Sequence, residues 1–64
     1  MGYSPGNMVK MMGSNNYYVI LHRTFRDRDR KYTQYQLRMW TLLKMGSNPP
    51  VYHTVYENYL EKVQ

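Results

Sequence analysis

The sequence predicts a small α+β domain, with a short antiparallel sheet carrying two helices packed on one face. Three observations lead there. Residues 17–25 are dense in aromatic and β-branched side chains, which favour a strand. Residues 32–45 and 55–63 each space their apolar side chains as a helix would. With 64 residues, the chain holds one domain at most.

Residues 1–16 come first and hold three of the four glycines, a proline and several Asn and Ser. This composition reads as a flexible arm leading into a domain over residues 17–64. Within the arm, Met8-Val9-Lys10-Met11-Met12 is apolar enough to dock. Tyr17-Tyr18-Val19-Ile20-Leu21 is apolar on both alternating faces, so the strand is expected to be covered on both sides. Polar residues from His22 to Thr24 bring its end to the surface. Arg26-Asp27-Arg28-Asp29-Arg30-Lys31 follows and contains nothing a core would accept. Asp29 is placed to cap the helix expected next.

That first helix is expected over residues 32–45. Tyr32, Tyr35, Met39, Leu42 and Leu43 form its stripe, Leu37 and Trp40 widen it, and Gly46 stops it before Pro49-Pro50. Residues 50–53 read as a short extended segment confined to an edge by its prolines. Thr54-Val55-Tyr56-Glu57 matches a capping box, in which Thr serves the third amide and Glu reaches back. Val55, Tyr56, Tyr59, Leu60 and Val63 then supply the stripe of a second helix.

Charge points toward the partner. Nine Lys and Arg stand against four Asp and Glu, giving +5. Eight of the nine cations lie in residues 1–44, against two acids. A field this one-sided favours phosphate-rich partners. The longest apolar run, residues 17–21, is far short of the ~20 a spanning helix needs. Neither a secretory signal nor an Arg-rich transit peptide is expected from the first residues. There is no cysteine, which excludes disulfides and thiolate zinc sites.

The candidate phosphate contacts are Arg23, Arg26, Arg28, Arg30 and Lys31. The planar arginine fork pairs with phosphate oxygens and gives up its hydration readily. Tyr32 and Phe25 flank the cluster and are suited to stacking on unpaired bases. Asp27 and Asp29 lower the local charge, so separate arginines reaching separate phosphates are expected rather than a broad positive surface. Thr24 would add a neutral hydrogen bond, with Arg38 and Lys44 on the first helix as secondary contacts. His22 and His53 have no carboxylate at metal-ligand spacing and no paired nucleophile, so surface or structural roles are expected. Asp27, Asp29, Glu57 and Glu61 form no catalytic pair. No glycine loop cradles a phosphate. No metal, no cofactor and no catalytic activity are expected.

From Tyr17 onward the chain resembles the universal "L thirty" family of large-subunit ribosomal proteins. Tyr18-Val19-Ile20-Leu21-His22-Arg23-Thr24 looks like that family's opening strand, with Arg23-Thr24 at its Arg-Ser pair. Val51-Tyr52-His53-Thr54-Val55-Tyr56 resembles the entry to its second helix, and Leu60-Glu61-Lys62-Val63 the end of it. The hallmark glycines are replaced, which makes the resemblance one to a diverged mitochondrial type. It implies a strand–helix–strand–helix–strand fold whose third strand is missing here; because two strands alone are marginal, residues 8–12 of the N-terminal arm are expected to supply an edge strand in its place. It also implies a structural, non-catalytic protein of a mitochondrial large ribosomal subunit. Its partners would be large-subunit rRNA and neighbouring ribosomal proteins, with the Arg23 to Lys31 region touching the RNA. The alternative is a non-catalytic accessory subunit of another mitochondrial assembly, such as a respiratory complex, using its tyrosine-rich faces against protein.

Overall fold

The computed structural model describes residues 2–24 and 38–63. They form one antiparallel sheet of five strands: β1 (Met8–Met11), β2 (Tyr17–Thr24), β3 (Met39–Lys44), β4 (Tyr52–Tyr56) and β5 (Leu60–Lys62). The order across the sheet is β4-β3-β2-β1-β5. The fifth strand therefore lies beside the first, and a 3-10 turn at Glu57–Tyr59 carries the chain over from β4.

The expected α+β fold with two packed helices is corrected: no α-helix occurs among the described residues, and both helical stretches enter the sheet. The first was expected over 32–45; residues 39–44 are β3, and the part up to residue 37 lies outside the described residues. The reason lies in β3's two faces. Trp40 and Leu42 point into the core, while Met39 and Leu43 are also covered wholly or in part on the other face. With apolar residues on both faces the two-residue alternation disappears from the sequence, and a helical spacing of three and four is left. The second expected helix divides into β4, the 3-10 turn and β5. Its apparent capping box is used across the sheet instead. Thr54 Oγ1 lies 3.4 Å from Thr41 Oγ1, and Glu57 Oε1 accepts a 2.9 Å hydrogen bond from Trp40 Nε1. Tyr56, at the head of the 3-10 turn, makes no side-chain cap. The two helices implied by the ribosomal resemblance are thus absent among the described residues.

The strand expected at residues 17–25 is β2, described to Thr24. Residues 50–53, expected to be extended and at an edge, lead into β4, which is an edge strand and continues to Tyr56. Residues 8–11, inside the stretch whose composition reads as an arm, form β1. β1 pairs with β2, Val9 opposite Tyr18, as expected of a strand supplied by the arm, but it also pairs with β5, Val9 opposite Lys62, so it is an interior strand and not the expected edge.

One face of the sheet encloses the core. Val9, Tyr18, Ile20, Trp40, Leu42 and Leu60 form it, with Tyr3, Met11 and Val55 packed against it. Val9 and Leu42 are 0% exposed. Each such aliphatic side chain contributes about 1.5–3 kcal/mol by leaving water. Tight turns join the strands. Ser14 N–H donates to Met11 O at 2.9 Å and Ser47 N–H to Lys44 O at 3.4 Å. The third residue of these turns is Gly13 (φ 80°) and Gly46 (φ 77°) respectively. A positive φ at that position is what a type II turn demands of glycine. Gly46 therefore ends a strand, where the sequence suggested the end of a helix.

Candidate nucleic-acid interface

The site is built on the β2–β3 hairpin. Pairing runs from Tyr18 opposite Lys44 to Thr24 opposite Met39, with a break between Ile20 and His22. Ile20 faces Leu42 and His22 faces Thr41, so Leu21 is an extra residue, a β-bulge. The bulge reverses the alternation of β2. Before it, Tyr18 and Ile20 face the core; after it, Arg23 takes that side opposite Trp40, while His22 and Thr24 take the outer side.

Arg23 is thereby brought against the indole. Its Cζ lies 5.9 Å from the Trp40 ring centroid, within the range of a cation–π contact. The same indole donates to Glu57 at 2.9 Å. Trp40 therefore bridges a cation over its face and a carboxylate at its edge, fixing the orientation of the hairpin's end. A guanidinium is planar and suits both stacking on an aromatic face and pairing with phosphate oxygens. On the outer face Thr24 Oγ1 and Thr41 Oγ1 share a hydrogen bond. With Thr54 they make a line of hydroxyls across three strands. His22 Nδ1 lies 3.2 Å from the Arg23 carbonyl oxygen.

Arg38 stands one residue before Met39, the partner of Thr24, and its carbonyl accepts the Glu57 N–H at 2.7 Å. The hairpin thus sets Arg23, Thr24 and Arg38 together at one end of the sheet. Lys44 is separated from them. It lies at the far end of β3, six residues from Arg38 and so roughly 20 Å along the strand. There Ser47 Oγ donates to the Lys44 carbonyl at 2.8 Å. Arg26, Arg28, Arg30 and Lys31, together with Phe25 and Tyr32, lie outside the described residues. The chain connectivity still ties them between Thr24 and Arg38. Residues 23–38 carry six cationic and two acidic side chains.

The roles of Trp40 and Glu57 were not apparent from the sequence, which put them on two different helices. The available signal was Trp40-Thr41, a pair with strand preference inside the expected helix. His53, considered as a ligand or a structural residue, packs edge-on against Tyr18 with ring centroids 5.5 Å apart. Among the described residues no three His, Asp or Glu converge as a metal site would require, and no pocket is present. No helix among them is long and apolar enough to cross a membrane. Tyr3 donates to the Leu60 carbonyl at 3.3 Å and lies 5.6 Å beneath the Lys62 ammonium. Burial, and then the charges of Glu57 and Glu61, raise its phenol above the ordinary value of 10.0.

No protein-family model matches the chain, and comparison with curated proteins and with solved structures returns no significant relative.

Proposed function

We propose that this chain is a non-catalytic RNA-binding module that grips the phosphate backbone with the basic end of its β2–β3 hairpin. One observation carries the reading: the ladder from Tyr18–Lys44 to Thr24–Met39 brings Arg23, Thr24 and Arg38, at the two ends of the arginine-rich connection, together at one end of the sheet. The two ends of a segment that carries six cations within sixteen residues of sequence thereby meet at one place, and cations bind phosphates by displacing counterions. Arg23 and Arg38 mark the two sides of that place, and Arg26, Arg28, Arg30 and Lys31 lie on the chain between them. Phosphate contacts of this kind position a protein without reading sequence, which suits a structural component of a ribonucleoprotein. The ribosomal resemblance makes large-subunit rRNA of a mitochondrial or related ribosome the first partner to try.

Binding of a fluorescent RNA hairpin, followed by anisotropy across a salt series, tests the reading. The logarithm of affinity should fall steeply with the logarithm of salt. Arg26→Ala with Arg28→Ala should weaken binding and flatten the slope by about 1.5–2, near one unit for each phosphate that is no longer neutralised. Lys44→Ala, at the remote end, should leave both nearly unchanged. Equal binding by wild type and the double variant would remove the hairpin from the interface.

The accessory-subunit reading keeps one observation of its own. Met8, Val19, Leu43 and Tyr52 are register neighbours across four strands on the outer face, an apolar row suited to a protein neighbour. Co-purification separates the two readings by the presence or absence of rRNA.

A further inference from the structure

The two edges of the sheet are built differently. β5 is three residues long and carries exposed Glu61 and Lys62; shortness and charge are means by which an edge resists further pairing. β4 has neither, since Tyr52-His53-Thr54-Val55-Tyr56 contains no charge and no proline, and its register with β3 is unbroken. Its hydrogen bonds to β3 also fix which backbone groups are turned inward. Lys44 N–H donates to Val51 O at 2.9 Å and Glu57 N–H to Arg38 O at 2.7 Å. Residues 51, 53, 55 and 57 therefore face β3. By the alternation of an antiparallel ladder, Tyr52, Thr54 and Tyr56 direct their backbone groups the other way.

We propose that this edge pairs with the same edge of a second copy, antiparallel, about a two-fold axis through Thr54. Two-fold symmetry requires a surface complementary to itself, and β4 meets that requirement in one register. Thr54 meets its own counterpart, and Tyr52 meets Tyr56 of the second copy on either side. Aromatic–aromatic and Thr–Thr pairs are among the favourable cross-strand combinations. All three of these pairings fall at hydrogen-bonding positions; the Tyr56 carbonyl is already committed to the 3-10 turn that follows it, which leaves about four backbone bonds across the axis. A shift of two residues either way sets tyrosine against threonine and loses the match. No charge is set against itself, because Glu57 falls opposite Val51. Tyr52, 58% exposed in the single chain, gains a ring neighbour. Tyr56 keeps the contacts it already makes within its own chain. The hydroxyl line Thr24, Thr41, Thr54 runs on across the axis into the second copy. The pairing does not rest on the RNA-binding reading, since none of Arg23, Thr24 and Arg38 lies in β4.

Sedimentation equilibrium of the full chain tests the pairing. Wild type should approach the mass of two chains as concentration rises toward about 1 mM. Thr54→Lys sets like charges against each other on the axis and should raise the dissociation constant by about tenfold or more. Thr54→Glu should do the same, and an equimolar mixture of the two variants should recover the two-chain mass. Far-UV circular dichroism of each variant should match wild type, since Thr54 is exposed. The chain has no cysteine of its own, so single cysteines give a second reading. Hydrogen-bonded cross-strand positions lie about 5.5 Å apart, within disulfide reach. Thr54→Cys should oxidise to a linked dimer, and Asn15→Cys, away from the edge, should not. A wild type still monomeric at about 1 mM would overturn the pairing. So would a dimer untouched by Thr54→Lys, a mixture that fails to recover, or equal crosslinking at both cysteine positions.

Discussion

Leu42→Ala and Leu43→Ala form the sharpest test of the fold, because a helix and a strand predict different outcomes for the pair. On a helical stripe both leucines would be buried side by side and both truncations would cost alike. In β3 they point to opposite faces. Leu42 is 0% exposed, lies between Ile20 and His53 in register, and belongs to the core. Leu43 lies between Val19 and Tyr52 on the outer face and is only partly covered. Truncating a fully buried leucine removes its transfer energy and leaves a cavity, a loss of about 2–5 kcal/mol. Truncating the outer one should cost about 1 kcal/mol or less. A domain of this size holds only about 3–5 kcal/mol in total. The Leu42 variant should therefore be largely unfolded at 25 °C and recover structure in sucrose, which favours compact states. The Leu43 variant should show a complete urea transition with a modestly lowered midpoint. Fluorescence of Trp40, the chain's one tryptophan, reports the transition, and far-UV circular dichroism checks that both probes move together. Equal losses in the two variants would refute the placement of β3.

Other outcomes follow from the same structure. Glu57→Ala should lose about 1 kcal/mol in a urea titration, because the Trp40 indole loses its acceptor; Glu57→Gln, which keeps an oxygen there, should lose less. The Tyr3 phenol should ionise above 10.0, visible as absorbance near 295 nm that is missing from Tyr3→Phe. Its folded-state value is raised, so the folded chain holds that proton more tightly than the unfolded one. The stability Tyr3 contributes is thus present below pH 10 and declines as pH rises beyond it. Comparing the alkaline stability of wild type with Tyr3→Phe checks the sign.

Much of what the sequence disclosed rests on residues whose preference agrees with their place. Residues 17–24 are β-prone and form β2, and the apolar cluster at 8–12, suited to docking, contributes Val9 and Met11 to the core side. The helices failed where two physical signals coincide. Met39, Leu42 and Leu43 satisfy a helical stripe and also a strand covered on both faces. Thr54 and Glu57 sit at capping-box spacing, yet their side chains are used by Thr41 and Trp40 on a neighbouring strand. Nothing local distinguishes those uses. The candidate site was legible as charge but not as geometry. A helix through residues 38–44 would have put Arg38 and Lys44 about 9 Å apart along its axis, whereas the strand sets them at opposite ends. The Leu21 bulge, which turns Arg23 toward Trp40, leaves no mark in composition, since leucine there would equally well continue the strand.

The pairing of Val9 with Lys62 also sets when the sheet can be complete. The core strand β1 has one of its two neighbours at the far side of every other strand in chain order. Hairpins such as β2–β3 and β3–β4 can form as the chain lengthens, but Val9 and Met11 have no complete shelter until residue 62 is free. Contacts spanning so much of a chain are slow to close, on the order of milliseconds to seconds. Translation at about 5–20 residues per second leaves β1 waiting for several seconds before that neighbour is made. Over that interval β1 is an apolar strand with one side unpaired, which is the state in which a strand is open to pairing with another chain.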